Sequence, residues 1–314
     1  MAPESLFYRT LDVFTNQRYK GNQLSVVEVG DAILSSTHMQ MIAREFNFSE
    51  TVFLRRDADG ELAINIFTPK NEMDFAGHPV IGTGHVIFGR LLPSLKNDET
   101  SSTACLRTKA GPVVLHHDPA TGIVGAEVPH NIHIHSQFTT LQQLVETQPT
   151  LNKDIPSMQS GFPAVSIVKG VTYTLVDLNN HPESFLSVSS GPSQSTALDD
   201  GWSPSFTGVM YYMKSSPDIE DGITVQKLRV RMIAINLEDP ACGSGSCSLS
   251  AYLALQQGGP GARFKFLIDQ GREIGRDSHI QVDVTLNDSG NEVATIFLAG
   301  PAVPVTEGTL LLPE

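Results

Sequence analysis

The segment LEDPACGSGSCSLSAYLALQQ, residues 237–257, places two acids, a cysteine and a glycine–serine run directly before an apolar run. Backbone N–H groups at a helix N-terminus lack partners within the helix and carry a partial positive charge, and glycine lets a ligand approach them closely. We therefore interpret Gly243, Ser244 and Gly245 as an anion cradle, in which the Ser244 hydroxyl adds a hydrogen bond. A thiol in this position usually has a lowered pKa, which makes Cys242 a candidate base or nucleophile.

A similar arrangement occurs in NEMDFAGHPVIGTGHVIFGRLL, residues 71–92, where Gly77 forms a second cradle with His78 beside it. If the two cradles face one cleft, both helix ends hold a substrate carboxylate there. The cleft then needs a proton carrier, and the candidates are Glu50, His78, Asp239 and Cys242. Glu50 lies at a turn-to-strand junction in NFSETVFL, where burial would raise its pKa towards the range in which a carboxyl both takes and gives a proton.

Each of these candidates also has a purely structural interpretation, which the sequence leaves open. Glu50 would be a solvated acid at a strand edge, and His78 a packed or capping histidine. Asp239 would fix a turn or cap the helix, as aspartate often does. Cys242 would be a small buried side chain, and the glycines would only permit tight turns.

Five histidines lie close together in the sequence and suggest a metal site: His116, His117, His130, His133 and His135. His133 and His135 would lie on one face of a strand, but no carboxylate or cysteine completes a familiar ligand spacing. We therefore predict no metal ligands and interpret these histidines as residues of an exposed strand and linker.

We call the segments around Gly77 and Gly243 the two corners. The predicted elements around each corner are mostly strands, and their order along the chain occurs twice. Residues 66–88 align with 232–254 without a gap, and each copy reads apolar strand, acid-bearing loop, glycine and apolar helix. Both helices are apolar around most of their circumference, which indicates burial at the centre of a sheet. We predict an α+β fold with two pseudo-symmetric domains, each a β-barrel-like sheet around a central helix. The expected boundaries are 1–128, joined by the tail at about 303–314, and 129–302.

Four segments resemble the phenazine-biosynthesis isomerase (PhzF) family of the diaminopimelate epimerase superfamily. They are YKGNQLSVVEV, FNFSETVFL, IFTPKNEMDFAGHPVIGTGHVI and EDPACGSGS, in the expected order. The resemblance implies a diaminopimelate epimerase-like fold with the active site between the domains, and a role in biosynthesis or secondary metabolism. It implies that Glu50 moves a proton between carbons as general acid/base, and that His78 and Asp239 orient the substrate. It also implies that Gly77 and Ser244 bind the substrate carboxylate, with no metal or organic cofactor.

One residue departs from the family pattern, because Cys242 stands where the family usually carries threonine. The turn ACGSGS resembles the cysteine turn of epimerases and proline racemases, which use two opposed thiols. The matching position in the first copy is Ala76, so a second thiol is missing. The expected function is a cofactor-independent isomerase that moves a proton within a small carboxylate-bearing metabolite, coupled to double-bond migration or cyclisation. The alternatives are an amino-acid racemase or epimerase that uses Cys242, or a non-catalytic small-molecule binding member.

Net charge, hydropathy and cysteine content limit the binding partners and the cellular compartment that we expect. A net charge of −13 without a basic run disfavours nucleic acid. The sequence shows neither an apolar run of about 18 residues, as a membrane span needs, nor a signal peptide. Three cysteines are a sparse, odd set, which predicts a reducing compartment and a cytoplasmic protein. Of these, Cys105 and Cys247 are predicted to be core residues. Family members suggest a homodimer.

Overall fold

The computed structural model of the chain divides into two compact units. Unit 1 comprises Met1–Glu127 and Ala299–Glu314, and unit 2 comprises Val128–Leu298. The C-terminal strand therefore belongs to the same unit as the N-terminus. The structure describes residues 5–30, 32–57, 59–96, 101–151 and 158–313.

Unit 1 contains the helices α1 (Ser36–Phe46) and α2 (Gly77–Phe88). Its strands are β1 (Ser5–Val13), β2 (Asn22–Glu28), β3 (Glu50–Arg56), β4 (Leu62–Phe67), β5 (Glu72–Met73), β6 (Thr103–Thr108), β7 (Gly111–Asp118), β8 (Ile123–Glu127) and, at the end of the chain, β21 (Ala302–Leu311). A 3₁₀ turn spans Pro93–Leu95.

Unit 2 contains the helices α3 (Leu141–Thr147), α4 (Pro182–Ser187) and α5 (Gly243–Gln257). Its strands are β9 (His133–Ile134), β10 (Thr139–Thr140), β11 (Gly161–Phe162), β12 (Ala164–Val168), β13 (Val171–Asp177), β14 (Phe206–Lys214), β15 (Asp218–Glu220), β16 (Ile223–Ala234), β17 (Leu237–Asp239), β18 (Arg263–Gln270), β19 (Ser278–Leu286) and β20 (Val293–Gly300), whose last two residues belong to unit 1. A 3₁₀ turn spans Arg272–Ile274.

The strands of the two units repeat one pattern of directions. Unit 1 has the order β1-β2-β3-β4-β6-β7-β8, in which β2–β3 and β4–β6 are parallel and the other neighbours antiparallel. Unit 2 has the order β12-β13-β14-β16-β18-β19, in which β13–β14 and β16–β18 are parallel and the others antiparallel. Parallel neighbours need a crossover connection, and α2 and α5 supply it for β4–β6 and β16–β18.

The hairpin before each of these helices keeps the spacing that the sequence predicts. Phe67 pairs with Glu72 between β4 and β5, and Ile233 pairs with Glu238 between β16 and β17. The difference is 166 residues both from 67 to 233 and from 72 to 238. The repeat is therefore structural as well as sequential, even though few residues in it are identical.

Each of the two helices is packed inside its own sheet. Helix α2 contacts β1, β2, β3, β7, β8 and β21, and α5 contacts β12, β13, β14, β18 and β19. Nine of the 12 residues of α2 and ten of the 15 residues of α5 are buried, as expected for helices that are apolar around most of their circumference. The predicted α+β fold, with a sheet wrapped around a central helix in each half, is confirmed.

Two details differ from the sequence-based expectation. The predicted helices were expected to begin after the glycine turns, but α2 begins at Gly77 and α5 at Gly243, so the cradle residues are themselves helical. Cys247 is buried as predicted, whereas Cys105 is exposed, because β6 presents it on its solvent side. Within the described residues, no helix has the length and hydropathy to span a membrane.

Candidate functional site

The corner at the start of α2 is built around an open helix end. Its N-cap residue Ala76 contributes no side-chain hydrogen bond, and among the described residues the Gly77 N–H has no hydrogen-bond partner. Pro79 in the first turn has no N–H to satisfy, which suits this position. The corner therefore offers backbone N–H and the positive end of the helix to an anionic group.

Glu50 and His78 come together beside this helix end. Glu50 is the first residue of β3, and its Oε2 atom lies 3.5 Å from Nε2 of the buried His78. The Glu50 side chain keeps 15% of its exposure, although Oε2 itself is buried and forms no hydrogen bond within the described residues. The sequence-based prediction placed both residues at one site, and the structure brings them into contact.

The surroundings of Glu50 change its acidity. Burial raises the pKa of its carboxyl from 4.5 to about 7, and a hydrogen bond from the Ser49 side chain partly opposes this rise. Ser49 Oγ in turn lies 3.3 Å from Asn22 Oδ1. At neutral pH both the protonated and the ionised form of Glu50 are therefore well populated, which is the condition for a group that accepts a proton and returns it.

The corner at the start of α5 is closed by a thiol. Cys242 is the N-cap residue, and its Sγ accepts a hydrogen bond of 3.3 Å from the Gly245 N–H, while its carbonyl accepts one of 2.9 Å from the Ser246 N–H. The Gly243 and Ser244 N–H groups have no hydrogen-bond partner within the described part of the chain. This corner offers two backbone donors, with the Ser244 hydroxyl next to them.

Tyr173 on β13 contacts this corner, and sequence reasoning missed it. Its hydroxyl oxygen lies 2.7 Å from Ser244 Oγ and 3.3 Å from Cys242 Sγ. Tyr173 precedes Ser244 by 71 residues in the sequence and retains 2% of its exposure. Strand alternation alone indicates that this side chain is buried, but it does not indicate what the hydroxyl contacts.

The expectation of a lowered pKa for Cys242 is wrong. Burial, reinforced by the charge of Asp239, raises the pKa of the thiol to about 12. The helix end and the hydrogen bonds to Sγ act in the opposite direction but are weaker than the loss of hydration. Burial also raises the pKa of the Tyr173 hydroxyl well above its ordinary value. Both groups are therefore neutral near pH 7, and no thiolate base is available there.

Asp239 lies in the turn that leads into α5. Its Oδ1 accepts a hydrogen bond of 2.9 Å from the Ala241 N–H, so it stabilises the turn, while Cys242 acts as the cap. The buried Gln270 also holds the turn, since its Nε2 donates to the Asp239 carbonyl at 2.7 Å and its Oε1 accepts from the Cys242 N–H at 3.2 Å. Sequence reasoning missed Gln270 as well.

A buried ion pair supports the same turn. Arg231 on β16 pairs with Glu238 on β17 through two hydrogen bonds of 2.8 and 2.6 Å, and the side chains retain 5% and 3% of their exposure. Arg231 Nη1 also donates to the carbonyls of Phe185 and Leu186 on α4. The hairpin before Asp239 is thus anchored to the helix that precedes β14.

The prediction of exposed histidines at 133–135 needs correction. His135 is buried, and Asp199, distant in sequence, provides the missing carboxylate: His133 Nε2 lies 2.8 Å from its Oδ2. Ligand atoms of the three residues lie within 4.8 Å of one another. However, His135 Nδ1 accepts the Asp199 N–H at 3.0 Å, and Nε2 contacts Ser166 Oγ at 2.9 Å. Both ring nitrogens are occupied, so this is a closed hydrogen-bond network, with His133 stacked on Trp202.

Comparison with known proteins connects these corners to a family. The sequence model described as phenazine biosynthesis-like protein (PhzC-PhzF) matches residues 11–184 and 224–308. Both corners, with Glu50, His78 and residues 239–245, lie inside the matched ranges.

Individual relatives match over nearly the whole chain. The uncharacterized isomerase mll1393 of Mesorhizobium japonicum is 29% identical over 97% of this chain and 98% of its own length. The trans-2,3-dihydro-3-hydroxyanthranilate isomerase of Pseudomonas aeruginosa is 27% identical over 97% of this chain and 99% of its own length. The structure of a phenazine biosynthesis protein of the PhzF family from Bacillus anthracis superposes with a TM-score of 0.70 at 20% identity, covering 99% and 100% of the two chains. At that identity the likeness shows the fold.

Proposed function

Because the chain belongs to the phenazine biosynthesis-like (PhzC-PhzF) family and its relatives are named isomerases, we propose that it is an isomerase that moves a proton within a small carboxylate-bearing metabolite. The proposed reaction is cofactor-independent, because a carboxyl group does the proton transfer. The proton shift is coupled to double-bond migration or to ring closure.

The observation that carries the proposal is the state of Glu50. Burial raises the pKa of its carboxyl to about 7 next to His78, while most glutamates are ionised at this pH. In the proposed reaction the ionised Glu50 removes a proton from one carbon, and the protonated Glu50 returns it to another. A buried site also keeps bulk water from quenching the carbanion-like intermediate.

The other predicted site residues bind and orient the substrate in this proposal. In the proposal His78, which contacts Glu50, holds the substrate next to it. Gly77 at one corner, and Gly243 with Ser244 at the other, donate hydrogen bonds to acidic groups. Asp239 orients the substrate near α5. We keep the prediction that the protein is a cytoplasmic homodimer.

The chemical class of the substrate follows from the donors and from one relative. The Pseudomonas aeruginosa protein is named for trans-2,3-dihydro-3-hydroxyanthranilate, a cyclic amino acid with a double bond that can migrate. We propose a substrate of this class, a carboxylate with an adjacent carbon acid. Cys242, which the family pattern does not predict, makes a different compound within the class the better expectation.

The test is solvent exchange. Wild-type protein is incubated in deuterated water with trans-2,3-dihydro-3-hydroxyanthranilate and a panel of small unsaturated carboxylates, and deuterium incorporation is measured by mass spectrometry. Glu50→Gln should abolish incorporation and keep ligand binding within a few-fold. Glu45→Gln on the exposed side of α1 is the matched control and should exchange normally. Incorporation at the wild-type rate in Glu50→Gln would refute the proposal.

A further inference from the structure

The hydroxyl of Tyr173 completes a buried network of three polar groups at the start of α5. It contacts Ser244 Oγ at 2.7 Å and Cys242 Sγ at 3.3 Å, whereas Cys242 Sγ and Ser244 Oγ are 3.8 Å apart. Tyr173 and Cys242 retain 2% and 5% of their exposure. Because so little water reaches these atoms, each proton in the network should have a protein acceptor or point towards a ligand.

The direction of the hydrogen bonds in the network follows from one backbone N–H group, which can donate a hydrogen bond but cannot accept one. The Gly245 N–H can only donate, so Cys242 Sγ is its acceptor. The thiol keeps its own proton, because burial raises its pKa to about 12. The nearest oxygen for that proton belongs to Tyr173, whose O–H is then free to donate to Ser244.

The reverse direction is less favourable. If Ser244 donated to Tyr173 and Tyr173 donated to Cys242, then Sγ would accept two hydrogen bonds. The thiol proton would have only Ser244 Oγ within reach, at 3.8 Å. Only the forward direction gives the thiol, the phenol and the backbone N–H an acceptor each at 3.3 Å or less.

We propose that Tyr173 is a positioning residue of this corner, which makes Ser244 an obligate donor towards the substrate. Ser244 Oγ accepts from Tyr173, so its own proton points away from the network. Together with the Gly243 and Ser244 N–H groups, the corner then presents three donors and selects an acceptor group, such as a carboxylate, over a group that carries N–H. This inference rests on the proposed function for the class of substrate, but the network itself does not.

Close packing holds the network in place. A Cβ added at Gly245 would lie 2.6 Å from Met210 Sδ and 3.0 Å from Cys242 Sγ. A Cβ added at Gly208 on β14 would lie 3.1 Å from the Tyr173 ring. Real Cβ atoms rarely approach so closely, so glycine at both positions makes room for the thiol and the phenol.

The first experiment needs no ligand. The S–H stretching band of Cys242 is recorded by Raman spectroscopy and assigned by its loss in Cys242→Ala. Tyr173→Phe removes the acceptor of the thiol proton, so the band should move to higher frequency. Tyr211→Phe is the matched control, because the buried Tyr211 hydroxyl on the adjacent strand β14 forms no hydrogen bond within the described residues. A band that stays in place in Tyr173→Phe overturns the inference.

The second experiment measures the binding of two ligands by calorimetry. Anthranilate has a carboxylate, and anthranilamide has in its place an uncharged amide group that carries N–H. Ser244→Ala should weaken anthranilate binding by about tenfold, the size expected for a hydrogen bond to a charged group. Tyr173→Phe should weaken it by about three- to tenfold and should add nothing in the Ser244→Ala background. An equal loss from Tyr173→Phe in both backgrounds, or anthranilamide bound as tightly as anthranilate, contradicts the inference.

The two proposals fail separately. Retained deuterium exchange in Glu50→Gln would remove the proposed function and leave the Raman shift of Tyr173→Phe unaffected. An unchanged Raman band would remove the role of Tyr173 while Glu50→Gln still abolished exchange. Urea unfolding of Tyr173→Phe and Tyr211→Phe shows whether a loss of binding reflects a loss of fold instead. If removal of any buried tyrosine hydroxyl lowered the stability enough to impair binding, Tyr211→Phe would show the same loss.

Discussion

The N-terminal corners of α2 and α5 occupy equivalent places in two units of similar topology, yet their acidic groups differ in kind and in pKa. At α2 the acidic group is Glu50, with a pKa of about 7 next to His78. At α5 the thiol of Cys242 has a pKa of about 12 and belongs to a neutral network with Tyr173 and Ser244. A repeated backbone therefore provides two helix ends with unpaired N–H groups within the described residues, and Glu50, which titrates near neutral pH, lies beside only one of them.

The hairpins before the two helices differ in the same way. Glu72 of unit 1 accepts a hydrogen bond of 2.8 Å from Asn65 and contacts the exposed Lys109. Its equivalent, Glu238, forms a buried ion pair with Arg231, which occupies the position equivalent to Asn65. In each hairpin the acid contacts the side chain seven residues earlier, but only in unit 2 are both partners charged and buried.

The largest expected effect tests this difference between the hairpins. Glu238→Gln leaves the Arg231 charge buried without its counter-ion, which typically costs about 3–5 kcal/mol in the free energy of unfolding. Glu72→Gln keeps a hydrogen-bond acceptor for Asn65 and should cost less than about 1 kcal/mol. Urea unfolding of both variants measures the contrast. Equal losses in the free energy of unfolding would mean that the two acids contribute equally to stability, and would contradict the prediction.

A somewhat smaller effect concerns the pH dependence of stability at Glu50. The pKa of the carboxyl is about 7 in the folded chain, against 4.5 ordinarily, so below about pH 4.5 it is protonated in both the folded and the unfolded chain. As the pH rises through 7 the unfolded chain has released this proton before the folded chain does, and the wild type loses stability. Glu50→Gln should therefore be more stable at pH 9, by up to about 3 kcal/mol, and equally stable at pH 4.

Urea unfolding of the wild type, Glu50→Gln and Glu45→Gln at both pH values provides the measurement. Glu45 is exposed, so its substitution should change the free energy of unfolding little at either pH. If Glu50→Gln were destabilising at pH 9, the ionised carboxyl would be well solvated or paired, and the explanation of its raised pKa by burial would be wrong.

The third prediction concerns the thiol of the α5 corner. A pKa of about 12, against 9 ordinarily, reduces the thiolate fraction of Cys242 about a thousandfold at neutral pH. Iodoacetamide should therefore label the exposed Cys105 at least about a hundredfold faster than Cys242, as measured by peptide mass spectrometry. Rapid labelling of Cys242 that substrate-like carboxylates block would revive the racemase alternative.

The sequence was sufficient to predict features that depend on residues close together in the chain. Glycines, a proline and the apolar pattern around Gly77 and Gly243 were sufficient to predict two buried helices with open ends, because those features act within one helical turn. Glu50 and His78 were predicted to belong to one site, whereas their approach to 3.5 Å was not predicted. The spacing of 166 residues between the hairpins also predicted that the halves share a topology.

Contacts between distant residues could not be predicted in this way. Tyr173, Gln270 and Asp199 act on residues 28 to 71 positions away, and no spacing rule connects them. The pKa of Cys242 was predicted in the wrong direction for a related reason. The helix end is visible in the sequence, whereas the burial that raises the pKa depends on residues distant in sequence, such as Tyr173.

The smallest effect sharpens the comparison at the α2 corner. The Ser49 hydrogen bond lowers the pKa of Glu50, so Ser49→Ala should raise it further above 7. A hydrogen bond worth about 0.5–1.5 kcal/mol corresponds to about 0.4–1 pKa unit. In the proposed reaction the ionised carboxylate removes the proton, so the rate of deuterium incorporation should rise with pH through this pKa, and its midpoint should shift upwards by that amount in Ser49→Ala. Ser244→Ala should lower the rate without moving the midpoint, since in the proposal Ser244 donates to the substrate and does not set the acidity of Glu50. A midpoint that moves equally in both variants would mean that Glu50 is not the titrating group.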